Sequence, residues 1–192
     1  KPGDLIYQDT NGDKSITWDD AIRIDKSTTP KWIFGLTLNG AWKGIDLNVF
    51  FQGQADAEQL VMPAMNMPTD FYEGRWIETN TAEENASAKW PRAFMKAAAV
   101  DNRNSLSSTW WLRNASFVRL KSVELGYTFP KYMTDKIHLT KLRVFFSGNN
   151  LFYITKYHGF TPEITGSSLE AGIDRTIYPV TSVCRFGLNI TL

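Results

Sequence analysis

Five segments of the chain alternate apolar and polar side chains with a period of two, the pattern of a strand whose faces meet different surroundings. In the first, Trp32, Phe34, Leu36, Leu38 and Trp42 share a face opposite Gly35, Thr37 and Asn39. Lys43-Gly44 then predicts a tight turn into a second strand, with Ile45, Leu47, Val49 and Phe51 opposite Asp46, Asn48 and Gln52. A third run, Ser116 to Thr128, begins with Val118 and Leu120 on its apolar face and changes phase to Val123, Leu125 and Tyr127. One extra residue near Lys121, a β-bulge, absorbs such a shift. The fourth spans Lys141 to Tyr153, and the fifth carries Phe186, Leu188, Ile190 and Leu192 against Arg185, Gly187, Asn189 and Thr191.

The connections sort by length. Those after the first and third strands are short (Lys43-Gly44 and about 129–140), and those after the second and fourth are long (about 54–107 and 154–180). Strict alternation of this kind places every short turn at one end and every long loop at the other. A transmembrane barrel with short periplasmic turns and long outer loops has that asymmetry. The polar faces suit either solvent or a wet lumen, so alternation alone leaves a soluble antiparallel sheet open as well. Five strands cannot close a membrane barrel, which needs about eight, so on the barrel reading the edges pair with strands outside this sequence. The opening Lys1-Pro2-Gly3-Asp4 reads as the interior of a longer protein.

Composition narrows the choice without settling it. The 192 residues are 43% hydrophobic and 21% charged, which excludes a disordered chain. Seven Trp, seven Tyr and twelve Phe suit a packed β core, a sugar-binding surface or the aromatic girdles of a barrel. A net charge of +1 points to no nucleic acid or other polyanion. No apolar run approaches the roughly 18 residues of a membrane helix, which leaves spanning strands untouched. The single Cys184 forms no internal disulfide and reads as a small, half-buried strand residue.

The sharpest local motif runs from Asp9 to Asp20. Oxygen side chains recur at positions 1, 3, 5, 9 and 12 of an EF-hand-like loop (Asp9, Asn11, Asp13, Thr17, Asp20), and Ser15 at position 7 offers its carbonyl. Calcium takes six to eight hard oxygen ligands, so the spacing predicts a structural calcium site. Lys14 stands where the sixth position normally has Gly, and Asp20 is shorter than the usual Glu. The competing reading is a polar Asn-Gly turn that binds nothing.

The long loop at 54–107 holds Phe71, Tyr72, Trp76, Trp90 and Phe94 with Met62, Met65 and Met67. Of these, Trp76, Trp90, Phe71 and Tyr72 are the candidates to stack on a substrate or meet a lid protein; the competing reading is that the rings form the loop's own small core. Glu58 to Met62 and Ala88 to Ala97 read as short helices. Catalysis finds no pattern: His138 and His158 lie in separate turns, and no phosphate loop, nucleophile elbow or zinc spacing is present. The chain does not read as an enzyme.

Four stretches carry a family resemblance: Gly3 to Asp13; Trp42 to Gly53; Trp111-Leu112-Arg113-Asn114-Ala115-Ser116-Phe117-Val118-Arg119-Leu120-Lys121 with Val123 to Tyr127; and Ser147 to Phe152. In these the chain resembles the C-terminal portion of the SusC/RagA family of TonB-dependent outer-membrane transporters. The resemblance implies an all-β fold, the last five antiparallel strands (30–192) of a barrel of about 22 strands, preceded by an extracellular loop (1–29) with the calcium motif. It implies an outer-membrane location and uptake of glycan or peptide. The partners would be the rest of the barrel and its plug, TonB through the absent N-terminal part, and a SusD-like lipoprotein lid. Family members commonly end in Phe where this chain has Leu192. Two other readings stay open: a soluble, secreted calcium-binding β-sandwich that binds carbohydrate, and a barrel used for adhesion or assembly.

Overall fold

A computed structural model describes residues 1–61, 70–93, 104, 106–163, 172–174 and 178–192. The strands, in chain order, are β1 (Trp32–Trp42), β2 (Ile45–Ala55), β3 (Glu58–Val61), β4 (Leu112–Asn114), β5 (Phe117–Thr128), β6 (Lys141–Thr155), β7 (Ile173–Asp174) and β8 (Val183–Thr191). Short helices α1 (Phe71–Gly74) and α2 (Ala82–Ala86) lie in the first long connection, and α3 (Lys131–Thr134) lies in the second short one. The five long strands form one sheet in the order β1-β2-β5-β6-β8, every neighbour antiparallel. These are the five strands that alternation predicts.

Register turns the alternation of single strands into two continuous surfaces. Leu47 faces Gly40 on one side and Leu125 on the other; Leu125 faces Phe146, and Phe146 faces Phe186. A parallel row runs through Trp42, Ile45, Tyr127, Val144 and Leu188. On the opposite surface Asn39, Asn48, Glu124, Ser147 and Arg185 align. The phase change in β5 is a bulge at Lys121, which both neighbours skip: Leu120 and Ser122 pair with Phe51 and Phe50 of β2. The other neighbour compensates, since β6 passes over Asn150 and Leu151, with Asn150 at φ +53°.

Among the described residues the apolar surface has no second layer over it. Leu36, Leu47, Leu125, Phe186 and Leu188 are 53%, 41%, 47%, 85% and 64% exposed. Burial of such a side chain is worth about 1.5–3 kcal/mol, so water is a poor solvent for this face. Cys184 lies on the same face opposite Gly148 and is exposed, not half-buried as its sequence context suggests.

The two ends of the sheet differ as the connection lengths require. At one end Lys43 (φ +48°) and Gly44 (φ +88°) make the hairpin turn, Thr128 N–H donates to the Gly44 carbonyl, and Thr140 N–H donates to that of Thr191. At the other end β3, β4 and β7 form a second, three-stranded sheet in the order β4-β3-β7. Ala115 N–H on the Ala57 carbonyl joins the two connections between the sheets, and Glu58 N–H on that of Ser27 ties the small sheet to the N-terminal segment. Residues Glu58 to Val61 are therefore a strand, not the expected helix, because β4 and β7 supply partners that no local propensity reveals. The Ala88–Ala97 helix is also absent over 88–93, where Trp90 bridges to Arg75 in extended form. Phe94 and the three methionines of that loop lie outside the described residues.

Candidate functional site

The small sheet carries a cap with its own core. Phe71, Trp90 and Trp111 are buried together, with Leu5 and Leu60 packed against them. Trp90 and Trp111 stack at 6.1 Å and 9° between planes, and Trp90 Nε1 donates to Asp70 Oδ1 at 3.1 Å. Of the four rings expected to meet substrate or lid, Phe71 and Trp90 thus lie in this core. Tyr72 is exposed with the Arg75 guanidinium over its ring, and Trp76 lines a cleft.

The N-terminal segment is clamped onto that core. Asp4 accepts from Arg92 Nε at 2.5 Å, Arg92 Nη2 at 3.1 Å and Asn104 Nδ2 at 2.8 Å. Asn104, itself buried, accepts from Leu5 N–H at 2.7 Å, and its carbonyl takes Trp111 Nε1–H at 2.8 Å. Burial works to raise the Asp4 pKa, yet Arg92 and the other donors hold it down at about 2. Gly3 adopts φ +79°, and an added Cβ would stand 2.5 Å from the Trp76 indole. The Gly3-Asp4 pair is therefore fixed by close approach on one side and charge on the other. Sequence reasoning could not place Arg92 or Asn104 beside Asp4, because they lie 88 and 100 residues away.

The Asp9–Asp20 loop is closed by its own side chains. Asp9 accepts from Gly12 N–H at 2.6 Å and Lys14 N–H at 2.7 Å; Asn11 accepts from Asp13 N–H, and Asp13 from Ser15 N–H. Asp20 accepts from Thr10 and Thr17 N–H groups, both at 2.8 Å, and forms a capping box with Thr17 on the short turn Trp18–Asp20. The Thr17 and Thr10 amides hold the Asp20 carboxyl below its usual range. Among the described residues no three Asp, Glu, His or Cys side chains converge as a metal-ligand group. Asp20 Oδ1 takes two hydrogen bonds, from the Thr10 N–H and hydroxyl, whereas each Asp9 and Asp13 carboxylate oxygen takes one and keeps a lone pair that fits a hard cation.

The polar surface of the large sheet holds two charge clusters. Arg143 pairs with Asp46 and Glu124 near the short turns. Near the cap, buried Arg119 pairs with Glu163, donates to Gln52 Oε1 at 2.9 Å and to Tyr153 Oη at 2.9 Å, and so fastens the second long connection to the sheet. His138 and His158 are both exposed and far apart in the chain.

Comparison with known proteins places this architecture. No protein-family model matches the chain. It is 28% identical to TonB-dependent receptor P3 of Formosa agariphila, over 98% of this chain and 19% of that receptor. It is 27% identical to TonB-dependent receptor SusC of Bacteroides thetaiotaomicron, over 99% of this chain and 18% of that one. Among solved structures, the RagAB peptide importer in its closed-closed state matches 92% of this chain and 19% of its own, with a TM-score of 0.66 at 23% identity. That likeness concerns the fold. These relatives are receptors and an importer. Over nearly all of its own length and about a fifth of theirs, the chain is similar in sequence to TonB-dependent receptors, SusC among them.

Proposed function

We propose that the chain forms part of the barrel wall of a TonB-dependent nutrient importer in the outer membrane, with no catalytic role of its own. The observation that carries this reading is the apolar surface, five strands wide and uncovered among the described residues, backed by a polar surface that holds the Arg119–Glu163 and Arg143–Asp46 ion pairs. Lipid satisfies the first and a wet lumen the second. Among the described residues the edges of β1 and β8 have no neighbour, and they meet the remaining strands of the barrel, since no open edge survives in hydrocarbon. The cap faces outward, where a SusD-like lipoprotein closes over it, and TonB acts through the N-terminal part. A soluble calcium-binding sandwich would need a second layer over Leu47, Leu125 and Phe186, and these side chains are exposed.

Cysteine labelling on intact cells tests the orientation. Glu83→Cys in α2 reacts with a membrane-impermeant maleimide, whereas Lys136→Cys in the short turn after α3 reacts only once the outer membrane is opened. Equal labelling at both sites on intact cells contradicts the reading.

The proposal extends to calcium in the outer Asp9–Asp20 loop, held by Asp9, Asn11, Asp13, Thr17 and Asp20 side chains and the Ser15 carbonyl. Its support is the spacing of oxygen donors. Calcium then raises the thermal midpoint of the cap relative to chelator, and Asp13→Ala abolishes that rise. An identical midpoint with and without calcium contradicts it.

A further inference from the structure

Between the N-terminal segment and the α2–Trp90 stretch lies a cleft of about 810 Å³. Its walls carry the Trp76 and Trp110 indoles and the Tyr7 phenol. Trp111 is fully buried, whereas Trp110 beside it is 43% exposed, so one indole anchors the cap and the next keeps a face in solvent. Two cations share the lining, Lys89 and Arg113. The one acidic residue among the lining, Asp4, is committed to Arg92 and Asn104.

Among the described residues, neither Lys89 nor Arg113 has a carboxylate partner. Arg113 instead donates to the Trp110 and Leu112 carbonyls and lies over the Trp90 and Trp110 rings, at 5.2 and 5.9 Å from their centroids. Burial draws this guanidinium below its ordinary pKa, so an anion beside it would relieve a desolvation cost already present in the fold. An anion alone does not suit the site, because aromatic faces carry negative quadrupole density. The fitting ligand presents an apolar C–H face to the rings and a carboxylate at its edge. A uronate ring has both.

From this geometry we propose that the cleft binds an acidic oligosaccharide, its sugar rings stacked on Trp110 and Trp76 and a carboxylate paired with Arg113 and Lys89. The proposal rests on the importer reading, because the cleft then opens outward where a cargo arrives.

The test is calorimetric titration of the intact transporter in detergent with tetragalacturonate and with its carboxyl-reduced, neutral analogue. The acidic sugar binds at least about tenfold more tightly than the neutral one, a difference of one decade in Kd. Added salt weakens it. Trp110→Ala and Lys89→Gln, both on the cap surface, each weaken it at least severalfold while leaving the heat-dependent gel mobility of the barrel unchanged. Equal binding of the neutral analogue, an unchanged affinity in both variants, tighter binding of an acidic hexapeptide, or no binding of any probe overturns the proposal. Failure of the importer reading shows separately, as a protein that never enters the outer membrane.

Discussion

Lys14 occupies the sixth position of the Asp9–Asp20 loop at φ +66°, a conformation that glycine adopts freely and other L-residues adopt at a cost of about 1–2 kcal/mol. The missing glycine noted in the sequence is therefore strain in the structure, and Asp9 offsets it by accepting the Lys14 N–H. Lys14→Gly trades that strain against the larger chain entropy of glycine and should stabilise the loop by up to about 1 kcal/mol. Slower amide exchange at Ser15 in the variant is the readout; faster exchange would contradict it. Asp4 makes a second prediction. Its folded pKa of about 2 lies below the ordinary 3.8, so its contribution is fully present above the ordinary value and is lost as pH falls through about 2. The near-ultraviolet dichroism of the Trp90–Trp111 stack should report cap loosening in that window. Asp4→Asn should already be loosened at neutral pH and show a flatter acid response. The Asp9 spacing was legible because its partners are local. The Asp4 clamp was not, because charge pairing across the cap leaves no periodic trace.

At the scale of elements, alternation specified the long strands because a one-residue slip would move every apolar side chain to the wrong surface. The same logic exposed the bulge at Lys121 as a change of phase. The face assignment predicts an asymmetry within β5. Val123→Arg, nearer mid-strand on the apolar surface opposite Val49, puts a charge into lipid and should cost about 2–4 kcal/mol, whereas Ser122→Arg beside it, on the polar surface, should cost much less. Urea unfolding in lipid vesicles measures both, and equal costs would contradict a lipid-facing surface. Gly187 makes a close approach beneath the Phe145 ring, which a Cβ would strike. Gly187→Ala should cost about 1–3 kcal/mol by overpacking, with Phe145→Leu partly restoring it. The small sheet escaped the sequence for a physical reason: β7 is two residues long, and its pairing with β3 is parallel and non-local. Strands this short have no room for a pattern to repeat.

For the whole molecule, sorted connection lengths were enough to place the turns and the cap at opposite ends, and the structure gathers the long connections into a cap with its own aromatic core. The division of that core was not legible. Phe71, Trp76, Trp90, Trp110 and Trp111 look alike in the sequence, and only packing separates buried anchors from rings that line the cleft. What unifies the molecule is a surface that water does not suit on one side and charges that lipid does not suit on the other. The most direct test is to fractionate the source cells and probe with an antibody against Val183 to Leu192, on denaturing gels with and without boiling. The account predicts a signal in the outer-membrane fraction, in a species several times longer than this chain, whose mobility shifts on boiling. A signal in the soluble fraction, monodisperse without detergent and unchanged by boiling, would contradict it.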